Sequence, residues 1–244
     1  MSDHSYLPAW REQSLGRRLF LRVSAASAAS VALVAAGCSS STPEPVAPDP
    51  FQLTLPSGDP GLLYYAYLLA IAQATTYQKV VDAPPTDLTP AERAIFADLR
   101  DHEIVYREML KYAIDPTGAN ALLPTDFAFK LTSFTLTTRA GVLAAAQQLE
   151  DLVAAAYPAL LQLVTSSNPQ QRTLLLKMST VHARHAATVH DLLVPGSFAN
   201  NDIVESTGTL AGQLRTKTPT EVLAALAPFF APFVISAANL ATPI

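Results

Sequence analysis

What most constrains this chain is apolar residues recurring at spacings of three and four in four separate stretches. Each stretch is roughly 20 residues or longer and ends at a proline- or glycine-rich break. The first runs from about Pro60 to Val81, with Leu62, Tyr65, Leu69, Ala72 and Thr76 on one line and Lys79 as its only basic group. It is nearly apolar all round, as a central helix can be. The second opens at Thr89-Pro90-Ala91-Glu92, an N-cap followed by proline and an acid in the first turn. Its stripe is Ile95, Leu99, Tyr106, Leu110 and Ala113. The third covers about Asp126 to Ser166, with Gly141 and Pro158 as expected kinks or breaks. The fourth follows Asn168-Pro169 and runs to about Leu193.

No region alternates with period two long enough to suggest a sheet. With 9 glycines, 19 prolines and abundant alanine, the composition favours helices broken at defined points. Four such helices bury one another most simply as a bundle, so the expected class is all-α, a four-helix bundle over residues 58–196. Residues 197–244 form a C-terminal extension. Thr218-Pro219-Thr220-Glu221 looks like a further helix start, ahead of an apolar run interrupted by Pro228 and Pro232. A short helix and a packed tail are expected there.

The N-terminus reads as an address. Gly16-Arg17-Arg18-Leu19-Phe20-Leu21-Arg22 precedes a small-residue apolar stretch and then Ala35-Ala36-Gly37-Cys38. Arg17 and Arg18 with Leu-Phe-Leu-Arg resemble a twin-arginine export signal. Ala-Ala-Gly-Cys resembles a lipoprotein cleavage box that would leave Cys38 lipidated, although Ala35 stands where leucine is commonest. Residues 1–37 are thus expected to be removed, and residues 38–57 to form a proline- and serine-rich tether. Removal takes four arginines, Asp3 and Glu12, leaving 12 basic and 18 acidic residues, a net charge of −6. The expected location is the cell envelope, facing the periplasm or the outside and held to the membrane by the lipid.

Other classes find little support. The basic residues are scattered, so nucleic acid is not an expected partner. There is no glycine-rich phosphate loop and no Gly-x-Ser-x-Gly elbow. The single cysteine excludes an internal disulfide and a thiolate-rich metal site. A lipid tether disfavours a closed shell, so a monomer or small oligomer is expected, with any protein partner unknown.

The informative residues are polar groups on the apolar stripes. Glu103 lies four residues after Leu99 and three before Tyr106. Glu150 lies four after Ala146 and three before Val153. His182 and His185 continue the line Leu175, Met178, Val189 and Leu192. A buried carboxylate must be paired or bind a cation. The spacing of three puts both histidines on one face, as metal sites in bundle cores require. Gln73, Tyr106 and His102 are the expected supporting polar groups, although His102, one residue off the stripe, could face core or flank. His190 and Asp191 read as ordinary helix-end polar groups.

Several separated segments resemble bacterial ferritin-like-domain proteins, including their desiccation-related group. The first is Leu63-Tyr64-Tyr65-Ala66-Tyr67-Leu68-Leu69-Ala70-Ile71-Ala72-Gln73-Ala74-Thr75-Thr76-Tyr77. Leu149-Glu150-Asp151-Leu152-Val153-Ala154-Ala155-Ala156-Tyr157 and Val181-His182-Ala183-Arg184-His185-Ala186 are similar to two more of the family's runs. Pro195-Gly196-Ser197-Phe198-Ala199 and Thr218-Pro219-Thr220-Glu221-Val222-Leu223 echo the same group. The resemblance spans about residues 58–235. It implies a ferritin-like bundle and, in working members, a glutamate from each of two helices plus a Glu-x-x-His pair from each of the other two.

Here that pattern is degraded. Ala70 and Gln73 stand where the first segment's glutamates would fall, and the second and fourth segments read Glu103-x-x-Tyr106 and His182-x-x-His185. Two carboxylates balance one divalent cation, not two. The leading reading is therefore a non-catalytic, stress-associated or binding scaffold whose metal centre has decayed into a closed hydrogen-bond cluster of His, Glu, Tyr and Gln73. The alternative is one divalent iron, manganese or zinc ion at Glu103, Glu150, His182 and His185, with weak redox or storage chemistry. A third reading makes the tail at residues 218–244 a partner-binding module that could be deleted without unfolding the bundle.

Overall fold

Four of the five helices begin at a capping side chain. The computed structural model describes residues 49–165, 168–198 and 204–241, so Arg17, Arg18 and Cys38 lie outside the described residues. Helix α1 spans Gly58–Asp82, α2 Pro90–Ile114, α3 Arg139–Leu163, α4 Pro169–Leu193 and α5 Pro219–Phe230. Thr89 accepts a hydrogen bond from the Glu92 N–H at 3.2 Å while the Glu92 carboxylate takes the Thr89 N–H at 2.8 Å. These two bonds form a capping box that satisfies otherwise unpaired donors. Thr218 and Glu221 start α5 in the same way. Asn168 caps α4 by accepting from the Gln171 N–H, and Thr138 caps α3 by accepting from the Gly141 N–H.

The four long helices form two hairpins, α1 with α2 and α3 with α4, joined by the crossover of residues 115–138. Their buried residues sort into two apolar layers. One contains Leu69, Leu110, Leu149, Val153, Leu175 and Met178. The other contains Tyr77, Leu99, Ala146 and Val189. Along α1 and α4 the chain passes from the first layer to the second, and along α2 and α3 it passes back. Thus α1 and α4 run one way and α2 and α3 the other, which is why a long crossover is needed. Gln73, Glu103, Glu150, His182 and His185 fall between the layers, within two turns of each.

The crossover and the C-terminal extension close the end of the bundle nearest the first layer. Phe129 packs on Phe229 with ring centroids 5.1 Å apart, and Phe134 meets Phe229 at 4.7 Å. The Lys130 N–H donates to the Phe229 carbonyl at 2.8 Å. Val222, Leu223, Leu226, Phe229 and Phe230 of α5 are buried in the main core. Among the described residues no helix is long and apolar enough to cross a membrane.

Several expectations need correction. The third helix starts at Arg139, not near Asp126; residues 126–138 are turns held by their aromatic contacts. Gly141 is not a kink but a point of close approach, since a Cβ there would lie 1.8 Å from the Thr135 carbonyl oxygen. Pro158 lies inside α3 without ending it, and the carbonyl of Ala155 in the preceding turn accepts from the Lys217 N–H. A short parallel sheet exists after all: β1, Gln52–Thr54, pairs with β2, Val234–Ser236. Three-residue strands are too short for a periodic signal. This pairing buries Leu53 and Leu55, so the last residues of the stretch read as a tether are packed on the domain.

The tail is part of the core and not a detachable module. Truncation after Lys217 removes five buried apolar side chains of α5. It should cost more than the ~3–5 kcal/mol of a single buried phenylalanine truncation. Urea unfolding of the truncated domain against the full domain checks this; an unchanged midpoint would contradict the packing described.

Candidate metal centre

Four helices each place one turn in the polar layer. Glu103 from α2, Glu150 from α3, and His182 and His185 from α4 converge there. The carboxylates are 0 % exposed, His182 1 % and His185 6 %. The Nδ1 atom of His182 lies 3.6 Å from Glu103 Oε1 and 3.8 Å from Glu150 Oε2. The Nδ1 atom of His185 lies 3.5 Å from Glu103 Oε1 and 3.7 Å from Glu150 Oε1. All four residues expected from the sequence are therefore brought together. Glu103, His182 and His185 can each offer an atom such that all three lie within 4.8 Å of one another, a buried group that could hold a metal ion. Glu150 approaches both imidazoles but stands outside that triad.

These groups do not satisfy one another. Both oxygens of Glu103, Oε2 of Glu150 and the Nδ1 atoms of His182 and His185 are buried without a hydrogen-bond partner. Their spacings exceed hydrogen-bond distance. The closed cluster expected of a decayed site is present only in part: the Tyr77 hydroxyl donates to Glu150 Oε1 at 2.5 Å. Gln73 is fully buried and lies near enough to Glu150 to favour its ionised form, without meeting hydrogen-bond geometry.

Burial sets the protonation states. Desolvation, then the neighbouring Glu150 charge, holds Glu103 well above the usual carboxylate range. Desolvation also raises Glu150, against the opposing influence of His185, Tyr77 and Gln73. His182 is pushed down to about 3 by burial and then by His102, and His185 to about 4, chiefly by burial. Both imidazoles are thus neutral near pH 7, the state in which a ring nitrogen can ligate a metal.

The supporting residues lie where the sequence puts them, with one exception. Tyr106 is half-buried beside His182, with ring centroids 5.5 Å apart. His102 is exposed, yet its Nδ1 lies 3.0 Å from His185 Nε2. His190 is the exception only in being more than the helix-end group expected: it stands in the last turn of α4, is 2 % exposed, and also pairs through Nε2 with Asp151 of α3 at 2.8 Å. Sequence reasoning missed Tyr77 and Tyr157, whose ring lies against His182 at 4.7 Å. Tyr77 was legible, four residues after Gln73 on the same face of α1.

A four-coordinate ion with ligand bonds of about 2.1 Å spaces its ligand atoms by roughly 3.4 Å. The observed separations of 3.5–3.8 Å between the carboxylate oxygens and imidazole nitrogens match that spacing. Glu103, His182 and His185 therefore fit one ion, with Oε1 of Glu103 common to both imidazole contacts and Glu150 alongside. They do not fit two, because α1 contributes only Ala70 and Gln73.

A sign follows for the metal-free protein. Below about pH 4.5 Glu103 is protonated in both folded and unfolded chains. As pH rises from there, the unfolded chain ionises first, so Glu103's contribution to stability is lost towards its raised folded pKa. Glu103→Gln should therefore equal the parent near pH 4 and become the more stable protein as pH rises to 7.5, by up to about 1.4 kcal/mol per pH unit. The histidines, whose contribution is lost as pH falls below 6.5, are common to both proteins. Urea unfolding in chelator across this range is the check; a pH-independent difference would refute it.

A ferritin-like domain model matches residues 58–195, more than half of the chain. No curated protein and no solved structure matches it.

Proposed function

Because this chain belongs to the ferritin-like domain family, we propose that its bundle holds a single divalent transition-metal ion in an exported, lipid-anchored protein. The observation that carries this reading is the set of buried ligand-type atoms left without partners, contributed by Glu103, Glu150, His182 and His185. A decayed site under selection for stability alone would close these groups on one another or replace them with apolar residues, since unmet buried polar groups are costly. A cation would meet the Glu103 carboxylate and both imidazoles at once, with the Glu150 carboxylate beside them to balance its charge. Two imidazoles and two carboxylates suit zinc, iron or manganese. Such an ion supplies Lewis acidity or, for iron and manganese, one-electron chemistry.

The residues of this chain supply the rest. Tyr77 holds Glu150 in place through Oε1. Tyr157 and Tyr106 flank His182, and the two apolar layers keep bulk water out. With two carboxylates instead of four, the site carries charge for one ion, which removes paired-metal chemistry. Storage in quantity would also need a shell, and a lipid on Cys38 favours a monomer or small oligomer instead. Export by way of Arg17 and Arg18 would place the protein in the cell envelope. The domain then acts as a membrane-held metal-binding scaffold.

Elemental analysis of protein exported in its native compartment should find about one transition-metal ion per chain. His185→Ala should lose it while retaining its helical circular dichroism. No ion after loading with Fe(II), Mn(II) and Zn(II) in turn would overturn the reading and return the scaffold without metal. Labelling with a radioactive fatty acid tests the anchor, and Cys38→Ala should release the protein from membranes.

A further inference from the structure

The polar layer has one connection to solvent that the metal reading does not use. His185 presents its Nδ1 inward to Glu103 and Glu150 and its Nε2 outward to His102. The rings of His102 and His185 are within 7° of parallel, with centroids 5.2 Å apart and the facing nitrogens 3.0 Å apart. These values describe two imidazoles meeting nearly edge to edge, not face to face. The nitrogen lone pair of one ring points at the other, so a single proton lies between them. One nitrogen donates and the other accepts.

We propose that His102 is a positioning residue that accepts from His185 Nε2–H and so keeps the inward Nδ1 of His185 unprotonated and free to bind a cation. The inward side decides between the two tautomers. His102 is exposed, so water serves its other nitrogen in either case. His185 Nδ1 has no such freedom: it is buried, and no acceptor lies within hydrogen-bond distance. Were His102 the donor, His185 would carry an N–H at this position, and an unpaired buried N–H is rare in folded proteins. With His102 as acceptor, the same position holds a lone pair aimed between two carboxyl groups. A group that binds the far nitrogen of a ligating imidazole fixes its tautomer and orientation.

The atom that matters in His102 is Nδ1, attached directly to Cγ. The side-chain oxygen of asparagine occupies the same branch point and also accepts, whereas alanine offers nothing. His102→Asn should therefore bind zinc within about threefold of the parent, and His102→Ala should bind it about 10–100-fold more weakly. Both are measured by competition with a chromophoric chelator at fixed pH. The inference rests on the metal reading for this arm alone.

A second arm needs no metal. Nitrogen-15 imidazole spectra of the chelated protein should give His185 the pattern of a protonated Nε2 and bare Nδ1 in the parent and in His102→Asn, and a mixture in His102→Ala. Equal zinc affinity in His102→Ala and the parent would overturn the proposal. So would a protonated Nδ1 in the parent, or an Asn variant as weak as the Ala variant. A parent that takes up no zinc but keeps the His102-dependent tautomer would sink the metal reading and leave this inference standing.

Discussion

Two carboxyl groups taken out of water at the centre of the bundle set the terms for everything near them. Glu103 and Glu150 are fully buried and come from different helices. Isolated as anions they would cost several kcal/mol each, so the chain must neutralise them or supply opposite charge. It offers no lysine or arginine in the polar layer. It offers two imidazoles that burial keeps neutral and one tyrosine hydroxyl. Without a cation, burial pushes both carboxyls towards their neutral forms; a cation beside Glu103, His182 and His185 would supply the opposite charge instead.

The rest of the architecture can be read as support for that layer. Its register depends on apolar layers above and below, which fix each helix along its axis to within a turn. Leu99 and Leu110 bracket Glu103, Ala146 and Val153 bracket Glu150, and Met178 and Val189 bracket the histidines. Interhelical ties hold the same layers at their edges. His190 binds Asp151 across α3 and α4, and the guanidinium of Arg139 binds Glu92 at 2.6 Å across α2 and α3. Sites on rigid elements with packed neighbours hold their geometry better than sites on loops. The small strand pair and the phenylalanine cluster cap the end of the bundle away from the polar layer.

Much of this was legible because helices announce themselves locally. The cap signals at Thr89 and Thr218 fixed two starts to the residue, Asn168-Pro169 marked a third to within a residue, and the polar interruptions of apolar stripes identified Glu103, Glu150, His182 and His185. What failed was non-local. Residues 126–138 contain apolar side chains at helix-like spacing, but their partners are Phe229, Phe230 and Phe233 on the far tail, which no local pattern encodes. The three-residue strands arise from the same closure of the two ends of the domain. His190 stands at the helix end as read, but its tie to Asp151 on another helix had no local signal. Gly141 was misjudged because its constraint is a backbone oxygen six residues away, folded back against it.

The departures from the family's ligand pattern also become intelligible through the layer. Gln73 occupies the α1 position with the size of a glutamate but no charge. This keeps the layer polar while lowering the number of anions that must be balanced. His182 adds a neutral ligand where an acid would add a third negative charge. Both changes lower the charge of the layer, in the direction the proposed single ion requires. Random decay would be expected to scatter apolar replacements among these positions, as at Ala70. Instead Gln73, Glu103, Glu150, His182 and His185 all remain polar and all point into one volume, against the cost of burial. That bias supports the proposed binding site over a closed, decayed one.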